Sequence, residues 1–305
     1  MTAVRDTSLS VELAASPSTG RAIGLVILAV TLFSLSDVLA KRLSQDAAAL
    51  QVGWLRYAAF AAVAVLMASR ARFTAAHARR PGLQLLRGAA VLGSGLLFIL
   101  GLGRLGMAET TAIAFVAPAL ITGLSILLLN EKVGARRWLA VGLGLCGVLL
   151  VVRPGGGAFH TAALLPLSSA FCGALGVVMT RKMGSDDAPE TTLLWSALVG
   201  VGGLTLLAPM WFAPLTLAEF ALGLVMGALY GLGQYLLIRA YSAGEVSVLA
   251  PFSYAQLVVS TFLGYLVFRH APDGWTLAGI ALITLSGGYT LHREYVRRRH
   301  LRTSA

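Results

Sequence analysis

The octapeptide MAETTAIA at residues 107–114 is matched 136 positions later by AGEVSVLA at residues 243–250. Both segments carry Glu at the third position and continue with small and branched residues. Two further pairs of similar segments occur in the same order, which indicates that the chain contains two copies of one unit. They are KRLSQD (41–46) with RKMGSD (181–186), and WLAVG (138–142) with WTLAG (275–279).

The composition is that of a membrane protein. Of 305 residues, 57% are hydrophobic and 12% are charged, whereas soluble domains average about 25% charged residues. So few charges cannot cover the surface of a soluble domain, which excludes a soluble enzyme. The two cysteines, Cys146 and Cys172, exclude a disulfide-rich secreted scaffold. The net charge of +11 lies mainly in short loops, which is typical of membrane proteins and argues against nucleic-acid binding.

Ten apolar segments of 17–23 residues follow one another along the chain. Each is close to the length of about 20 residues that a helix needs to cross a bilayer. The sequence therefore predicts an all-α membrane protein with ten transmembrane helices. The predicted spans are 22–39, 52–69, 85–103, 111–129, 136–152, 162–180, 192–212, 216–238, 246–268 and 275–292.

Each predicted repeat contains five spans, an odd number, so the second repeat enters the membrane upside down relative to the first. With both termini in the cytoplasm, 18 of the 24 Lys and Arg residues lie on the cytoplasmic side. Inverted repeats characterise secondary transporters, whose substrate binds near the midplane between the halves. The predicted division is a flexible N-terminal tail (1–20), a first five-helix repeat (21–153), a linker (154–160), a second repeat (161–292) and a basic C-terminal tail (293–305).

The order of several motifs resembles the ten-helix EamA-type exporters of the drug/metabolite transporter superfamily. In the first half these are Lys41, the pair Arg56-Tyr57, the stretch from Glu109 to Pro118, LLNEK (128–132) and GLGLCG (142–147). In the second half the stretch LAPFSYAQ (249–256) is similar to the family pattern. The chain departs from that pattern after span 9, where Phe268-Arg269-His270 stands in place of a second acidic residue.

The resemblance implies proton-linked or facilitated movement of small metabolites, often amino acids, outward across the bacterial inner membrane. A multi-pass inner-membrane carrier, working as a monomer without a metal or cofactor, is the expectation. The chain has no Walker A sequence to bind ATP, and no intramembrane grouping that could serve a hydrolase or hold a metal. Two G-x-G-x-x-G matches fall in or beside predicted spans, where the pattern does not indicate dinucleotide binding.

Charged residues inside the predicted spans form the first group of candidates, for coupling or gating. Asp37 and Lys41 are four residues apart, so they share a helix face and can pair, and Arg56 enters the next span from the same side. These three residues could line the outward mouth with Asp37 as a proton or cation site. Alternatively, Lys41 and Arg56 extend to the interface and Asp37 neutralises Lys41.

Glu109 and Glu245 begin spans 4 and 9 and complete the coupling candidates. They could be a symmetric pair that titrates during alternating access, or first-turn carboxylates that favour the helix N-terminus. Pro118 and Pro251 interrupt the same two spans, and broken helices often face the cavity of a transporter.

Polar and aromatic residues at depth are the candidates for substrate binding. An apolar pocket with a few fixed polar groups suits a small ligand, whereas the alternative for each residue is hydrogen bonding between helices. The candidates are Ser94, Phe98, Phe115, Tyr230, Gln234, Ser253, Tyr254 and Gln256.

The leading expectation is a secondary transporter, not an enzyme, that exports small amphipathic metabolites by alternating access of the two halves. Its partners are the lipid bilayer and a small-molecule substrate, with protons as a candidate coupling ion. Aromatic or large apolar amino acids are the first cargo expected from the aromatic candidates. A carrier of anionic metabolites, suggested by Lys41, Arg56 and Arg239, and a lipid flippase are the alternatives.

Overall fold

The protein is represented by a computed structural model that describes most of the chain. The described residues are 17–70, 77–130, 135–152, 161–183, 187–208, 213–243, 250–269, 271–286 and 288. Throughout these ranges the regular elements are helices, without a strand, which confirms the all-α prediction for this part of the chain.

Eleven α-helices lie in the described ranges, and each predicted span coincides with one or two of them. Two short 3-10 turns, Thr161–Ala163 and Ala250–Tyr254, precede α7 and α10. The helices are α1 (Pro17–Leu43), α2 (Ala49–Arg70), α3 (Pro81–Leu102), α4 (Met107–Ala114), α5 (Ala117–Leu129), α6 (Ala135–Val152), α7 (Leu164–Met183), α8 (Pro189–Leu207), α9 (Leu217–Ala243), α10 (Ala255–Phe268) and α11 (Gly274–Ser286).

Local chemistry explains where several helices begin. Pro81 and Pro189 stand at the first position of α3 and α8, where proline loses no helical hydrogen bond and its fixed φ suits the helix. At α9 the Thr216 hydroxyl accepts from the Glu219 N–H at 3.2 Å, while the Glu219 carboxylate accepts from the Thr216 N–H at 2.7 Å. This reciprocal capping box satisfies two N–H groups that a helix start otherwise leaves unpaired.

The packing of helices repeats between the two halves of the chain. The first-half helix α1 packs most extensively on α9, and its counterpart α7 packs most extensively on α3. In the same way α2 contacts α9 and α8 contacts α3, while α1 contacts α10 and α7 contacts α5. The two halves are therefore interleaved, with each contributing helices to the same core, rather than lying side by side as separate bundles.

Glycine allows the closest of these contacts. A Cβ at Gly227 of α9 would overlap the backbone carbonyl of Arg56, and one at Gly200 of α8 would overlap the ring of Tyr57. Small residues at helix interfaces let backbones approach in membrane bundles. Gly200 and Gly227 thus bring α8 and α9 against the central residues of α2.

The outer surface of the bundle is apolar, as contact with lipid requires. Large apolar side chains such as Leu127, Leu206 and Phe262 are 76%, 83% and 63% exposed. Seven described helical segments are long and apolar enough to cross a membrane, with α4 and α5 together forming one of them. Three shorter apolar segments are Gly142–Val152 in α6, Phe252–Phe268 around α10, and Gly274–Ser286, which is α11. Ten crossings, their alternating orientation and cytoplasmic termini stay predictions.

Candidate substrate and coupling site

A buried ion pair joins the first two helices at the centre of the bundle. Nη2 of Arg56 donates to Oδ1 of Asp37 at 2.8 Å, and the side chains are 2% and 6% exposed. Asp37 had been expected to face Lys41 on the same helix, but the structure pairs it with Arg56 instead. A charge removed from water is costly unless an opposite charge lies next to it, and the carboxylate and guanidinium provide this for each other.

Lys41 makes a different set of contacts. Its Nζ donates to the carbonyl oxygens of Leu102 at 2.8 Å and Leu105 at 2.5 Å, at the end of α3. The last carbonyls of a helix lack partners within the helix and carry partial negative charge, so an ammonium group is favoured there. The ring of Phe268 lies 5.5 Å from Nζ, and Glu109 attracts the ammonium group electrostatically.

The Glu109 side chain caps the N-terminus of α4. Its Oε2 accepts the backbone N–H of Gly106 at 3.2 Å, which matches the capping alternative for this residue. Because the same carboxylate acts on Lys41 of α1, it also links the two helices electrostatically. Its proposed partner in the second half, Glu245, lies outside the described residues.

An aromatic cluster surrounds Tyr230 next to the ion pair. The ring centroids of Phe33, Tyr57 and Phe60 lie 5.6, 6.2 and 5.5 Å from that of Tyr230. The guanidinium carbon of Arg56 lies 5.0 Å from the same ring, within the range of a cation–π interaction. Three helices therefore meet at Tyr230, counting α9 itself.

Tyr230 and Gln234, four residues apart on α9, lie on one face of that helix. Nε2 of Gln234 donates to the Tyr230 hydroxyl at 3.0 Å. The Tyr230 hydroxyl therefore accepts one hydrogen bond within α9. It can still donate its own proton to another group.

The span breaks in the two halves meet through a pair of aromatic rings. Phe115 follows α4 directly, and Tyr254 ends the 3-10 turn before α10. Their centroids are 5.1 Å apart and the ring planes are 20° from parallel, an offset stack that aromatic pairs favour. Pro118 lies at the beginning of α5 and Pro251 within the 3-10 turn. Pro118 thus stands next to the interruption between α4 and α5, whereas residues 244–249, which precede the turn with Pro251, lie outside the described residues.

The remaining substrate candidates differ in their surroundings. Ser94 of α3 accepts through its carbonyl oxygen a 2.7 Å hydrogen bond from the Ser169 hydroxyl of α7, so this serine serves helix contact. Phe98 packs beside the apolar residues around Ile99 and Leu102. Ser253 and Gln256 are half-buried on either side of Tyr254.

Three central residues were absent from the sequence candidates. Tyr57 donates to the Val91 carbonyl oxygen at 2.9 Å, and Phe60 meets Tyr230 edge to face. Arg87 of α3 is only 9% exposed. Arg56, Tyr57 and Phe60 are spaced so that they lie on neighbouring faces of α2, which the sequence alone could have indicated. Arg87 is near the start of α3, and no sequence spacing indicated its burial.

A hydrogen-bond network joins the halves at the start of α3. The carboxylate of Asp187 accepts from the backbone N–H of Arg79 at 2.7 Å and from Nε2 of Gln84 at 2.9 Å. Gln84 also donates to the Thr192 hydroxyl at 3.1 Å. At the start of α9, Nε2 of Gln51 donates to the Ala213 carbonyl oxygen at 2.6 Å. The first set of bonds connects the start of α3 with the start of α8. The Gln51 bond connects the start of α2 with the residues before α9, which is the corresponding contact with the two halves exchanged.

The three cations that suggested an anionic cargo are occupied within the protein. Arg56 pairs with Asp37 and Lys41 binds helix carbonyls, as described above. Arg239 is exposed and donates to the Tyr235 hydroxyl at 3.2 Å. This geometry gives no reason to assign a substrate anion to any of them.

Comparisons with known proteins agree with this architecture. The EamA-like transporter family matches residues 20–153 and 160–287. A solved crystal structure aligns with 92% of this chain and 98% of its own, with a TM-score of 0.68 at 20% identity, which shows a shared fold.

Three similar proteins are transporters of different compounds. The riboflavin transporter of Vibrio cholerae is 32% identical over 195 residues, which are 64% of this chain and 65% of that protein, just under two thirds of its length. The S-adenosylmethionine uptake transporter of Rickettsia bellii is 26% identical over 89% of this chain and 94% of its own. The pseudopaline exporter of Pseudomonas aeruginosa is 26% identical over 86% of this chain and 93% of its own.

These similarities, together with the apolar helices, show a multi-pass membrane transporter of small metabolites rather than an enzyme. The two matched segments cover most of the sequence, so the chain belongs to the EamA-like transporter family of the drug/metabolite transporter superfamily.

Proposed function

We propose that this chain is a secondary transporter of a small amphipathic metabolite that carries a flat aromatic ring. The observation that carries the proposal is the Phe115–Tyr254 stack, in which the span breaks of both halves meet. Broken helices line the substrate cavity of many transporters with inverted repeats. A ring of the substrate can replace one partner of the stack without losing the favourable ring contact.

The Tyr230 cluster supports the same class of cargo. It offers aromatic surface from α1, α2 and α9, together with the Tyr230 hydroxyl and the Gln234 amide. Aromatic surface with a few fixed polar groups is the usual composition of a small-molecule site. A cargo with a ring and a polar end suits this composition better than an entirely polar one.

Two cargoes represent the proposed class. Aromatic amino acids, moved outward across the bacterial inner membrane, are the first, because they combine a ring with a compact polar end. Riboflavin is the second, since the similar Vibrio cholerae protein is a riboflavin transporter and the flavin ring system is flat. The relatives include both an uptake transporter and an exporter, so direction is a separate question for experiment.

Alternating access between the two halves is the proposed mechanism. The interleaved packing in which α1 contacts α9 and α7 contacts α3 relates the halves by symmetry. Exchange of the contacts at the starts of α3 and α9 would open one end and then the other. The buried Asp37–Arg56 pair lies between these ends, where protonation of Asp37 would break the ion pair and change the balance between the two states.

The test is counterflow in proteoliposomes. The vesicles are preloaded with unlabelled tryptophan, phenylalanine, leucine, riboflavin or aspartate, and uptake of labelled tryptophan and labelled riboflavin is followed. We expect acceleration by preloads that carry a ring and none by aspartate. Equal acceleration by every preload, or none by any in folded protein, would contradict the proposal. An imposed pH gradient tests proton coupling, and loss of its effect in Asp37→Asn would assign the coupling to that residue.

A further inference from the structure

The buried charges of the described chain do not balance. Asp37, Arg56 and Arg87 are the charged residues that the described part buries, with 4%, 1% and 9% of the whole residue exposed. Asp37 and Arg56 neutralise each other. Arg87 therefore brings an uncompensated positive charge into the interior, and a buried charge without a partner is destabilising by several kcal/mol.

The contacts of Arg87 are all to neutral groups. Its Nε donates to the Thr180 hydroxyl at 2.8 Å, and its Nη1 donates to the Thr192 carbonyl oxygen at 3.4 Å and to the Ser196 hydroxyl. These bonds hold the guanidinium between α3, α7 and α8. Within the described ranges no carboxylate forms an ion pair with it.

The two described acidic groups at the start of α8, Asp187 and Glu190, have other partners or positions. Both carboxylate oxygens of Asp187 accept hydrogen bonds, from Arg79 and Gln84. Glu190 lines a cleft with Arg70 between α2, α8 and α9. Among the described residues, Arg87 is therefore left without a carboxylate partner.

Arg87 also lies near the aromatic residues of the candidate site. One turn along α3 from Arg87, the Val91 carbonyl oxygen accepts from the Tyr57 hydroxyl at 2.9 Å. One turn along α8 from Ser196, Gly200 packs against the Tyr57 ring. The Tyr230 ring in turn contacts Arg56, Phe33 and Phe60. A molecule whose ring joins this cluster would bring its polar end within reach of Arg87.

We propose that Arg87 binds the carboxylate of the cargo, so that the transported molecule is an aromatic carboxylate such as an aromatic amino acid. The proposal rests on the function proposed above and narrows its substrate class. A planar guanidinium is suited to a carboxylate or phosphate because it offers parallel donors and keeps its charge. On entry the carboxylate supplies the charge that Arg87 lacks, which makes binding selective for an anionic end over a neutral one.

Arg87 also ties three helices together, and a purely structural role is the competing explanation. Two variants separate these roles. Arg87→Gln keeps a hydrogen-bond donor toward Thr180 and Ser196 but removes the charge. Arg87→Lys keeps the charge but loses the planar fork. Loss of helix contact alone would impair every cargo equally, whereas a carboxylate site affects only cargo that has the carboxylate.

The experiment measures half-maximal concentrations in counterflow for two matched pairs of probes. Tryptophan is compared with tryptophanamide, which lacks the carboxylate, and riboflavin 5′-phosphate with riboflavin, which lacks the phosphate. We expect the wild type to prefer tryptophan. Arg87→Gln should raise the half-maximal concentration of tryptophan about 10- to 100-fold, the range for a lost charged hydrogen bond, and leave that of tryptophanamide unchanged or lower. Arg87→Lys should fall between.

The outcomes are distinguishable. Arg239→Gln, which removes an exposed guanidinium, serves as the matched control and should leave all ratios as in the wild type. If the protein preferred riboflavin 5′-phosphate to tryptophan, the group that Arg87 binds would be a phosphate and not a carboxylate. That result would overturn the proposal. Exchange of riboflavin and tryptophanamide without any carboxylate preference would overturn this inference while sustaining the proposed function. Exchange of none of the four probes by folded wild-type protein would overturn both.

Discussion

Phe115 and Tyr254 stack across the two halves of the protein, with ring centroids 5.1 Å apart and planes 20° from parallel. Phe115 lies in the break between α4 and α5, and Tyr254 directly precedes α10. Breaks free backbone groups from the regular hydrogen-bond pattern, so they occur in membranes only where protein or a cavity surrounds them. The stack therefore links the two most irregular points of the described spans.

We expect the ring, and not the hydroxyl, of Tyr254 to matter for transport. Tyr254→Leu removes an aromatic contact of about 0.5–1.5 kcal/mol, so the half-maximal concentration of an aromatic cargo should rise roughly 2- to 10-fold. Tyr254→Phe preserves the ring and is the matched control. Counterflow with tryptophan and riboflavin measures both. An equal loss in Tyr254→Phe would show that the hydroxyl carries the effect and would contradict the stacking role.

The Asp37–Arg56 pair should be the most sensitive charge pair to single substitution. Asp37→Asn leaves the Arg56 guanidinium buried without its counter-charge, a loss of about 3–5 kcal/mol. Arg56→Gln should do similar damage, while the double variant should recover part of the stability because no charge is left unpaired. Thermal unfolding in detergent measures all three.

The pair Arg42–Asp46 is a control for that experiment within the same helix region. Its atoms are 3.2 Å apart, but both side chains are 55% exposed. Exposed ion pairs contribute little because water and salt screen them. Asp46→Asn should leave the unfolding temperature unchanged. If Asp46→Asn and Asp37→Asn lowered it equally, burial would not be the reason for the importance of the Asp37–Arg56 pair.

Two glycines of α8 should respond to alanine in opposite ways. A Cβ at Gly200 would overlap the Tyr57 ring, whereas nothing lies within 4 Å of a Cβ at Gly202. Gly200→Ala should cost about 1–3 kcal/mol through overpacking and reduce transport by displacing Tyr57. Gly202→Ala should be neutral or stabilise the helix by up to about 1 kcal/mol. Equal unfolding temperatures for the two variants would contradict the close packing of Tyr57.

Much of the architecture could be predicted from the sequence, because apolar length and turn residues act locally. Within the described residues the ten apolar segments coincide with helices, and Pro118 stands next to the interruption between α4 and α5. The partner of Asp37 could not be predicted in the same way. Helical periodicity places Lys41 on its face, but the choice of Arg56 depends on how α1 and α2 cross. Arg87 was missed for a related reason, since its burial depends on α7 and α8.

The contacts at the start of α3 should control opening at the predicted cytoplasmic end. Asp187→Ala removes the acceptor for both Arg79 and Gln84, so α3 should separate more often from the start of α8. Thr191 in the first turn of α8 is 2% exposed. With Cys146 and Cys172 replaced by serine, Thr191→Cys should react faster with an impermeant maleimide in inside-out vesicles when Asp187→Ala is also present.

Asp187→Asn is the control for this accessibility measurement. It keeps one oxygen that can accept a hydrogen bond, so the rate of labelling should lie between those of the parent and Asp187→Ala. Unchanged labelling in Asp187→Ala would show that these bonds do not hold the end closed. Faster labelling from the opposite side of the membrane would instead reverse the predicted orientation of the chain.

The ends of α5 and α10 give a prediction about stability alone. Asn130 and Arg269, which follow these helices, are the non-glycine residues with positive φ in the described chain, at 53° and 55°. Left-handed backbone costs most L-residues roughly 1–2 kcal/mol, and asparagine tolerates it better than arginine because its short side chain bonds locally. Arg269→Asn should therefore raise the unfolding temperature in detergent, while the reciprocal Asn130→Arg should lower it. Because the two positions occupy equivalent ends in the two halves, the shifts should be similar in size and opposite in sign. A decrease in both variants would mean that the Arg269 side chain makes a contribution larger than its backbone strain.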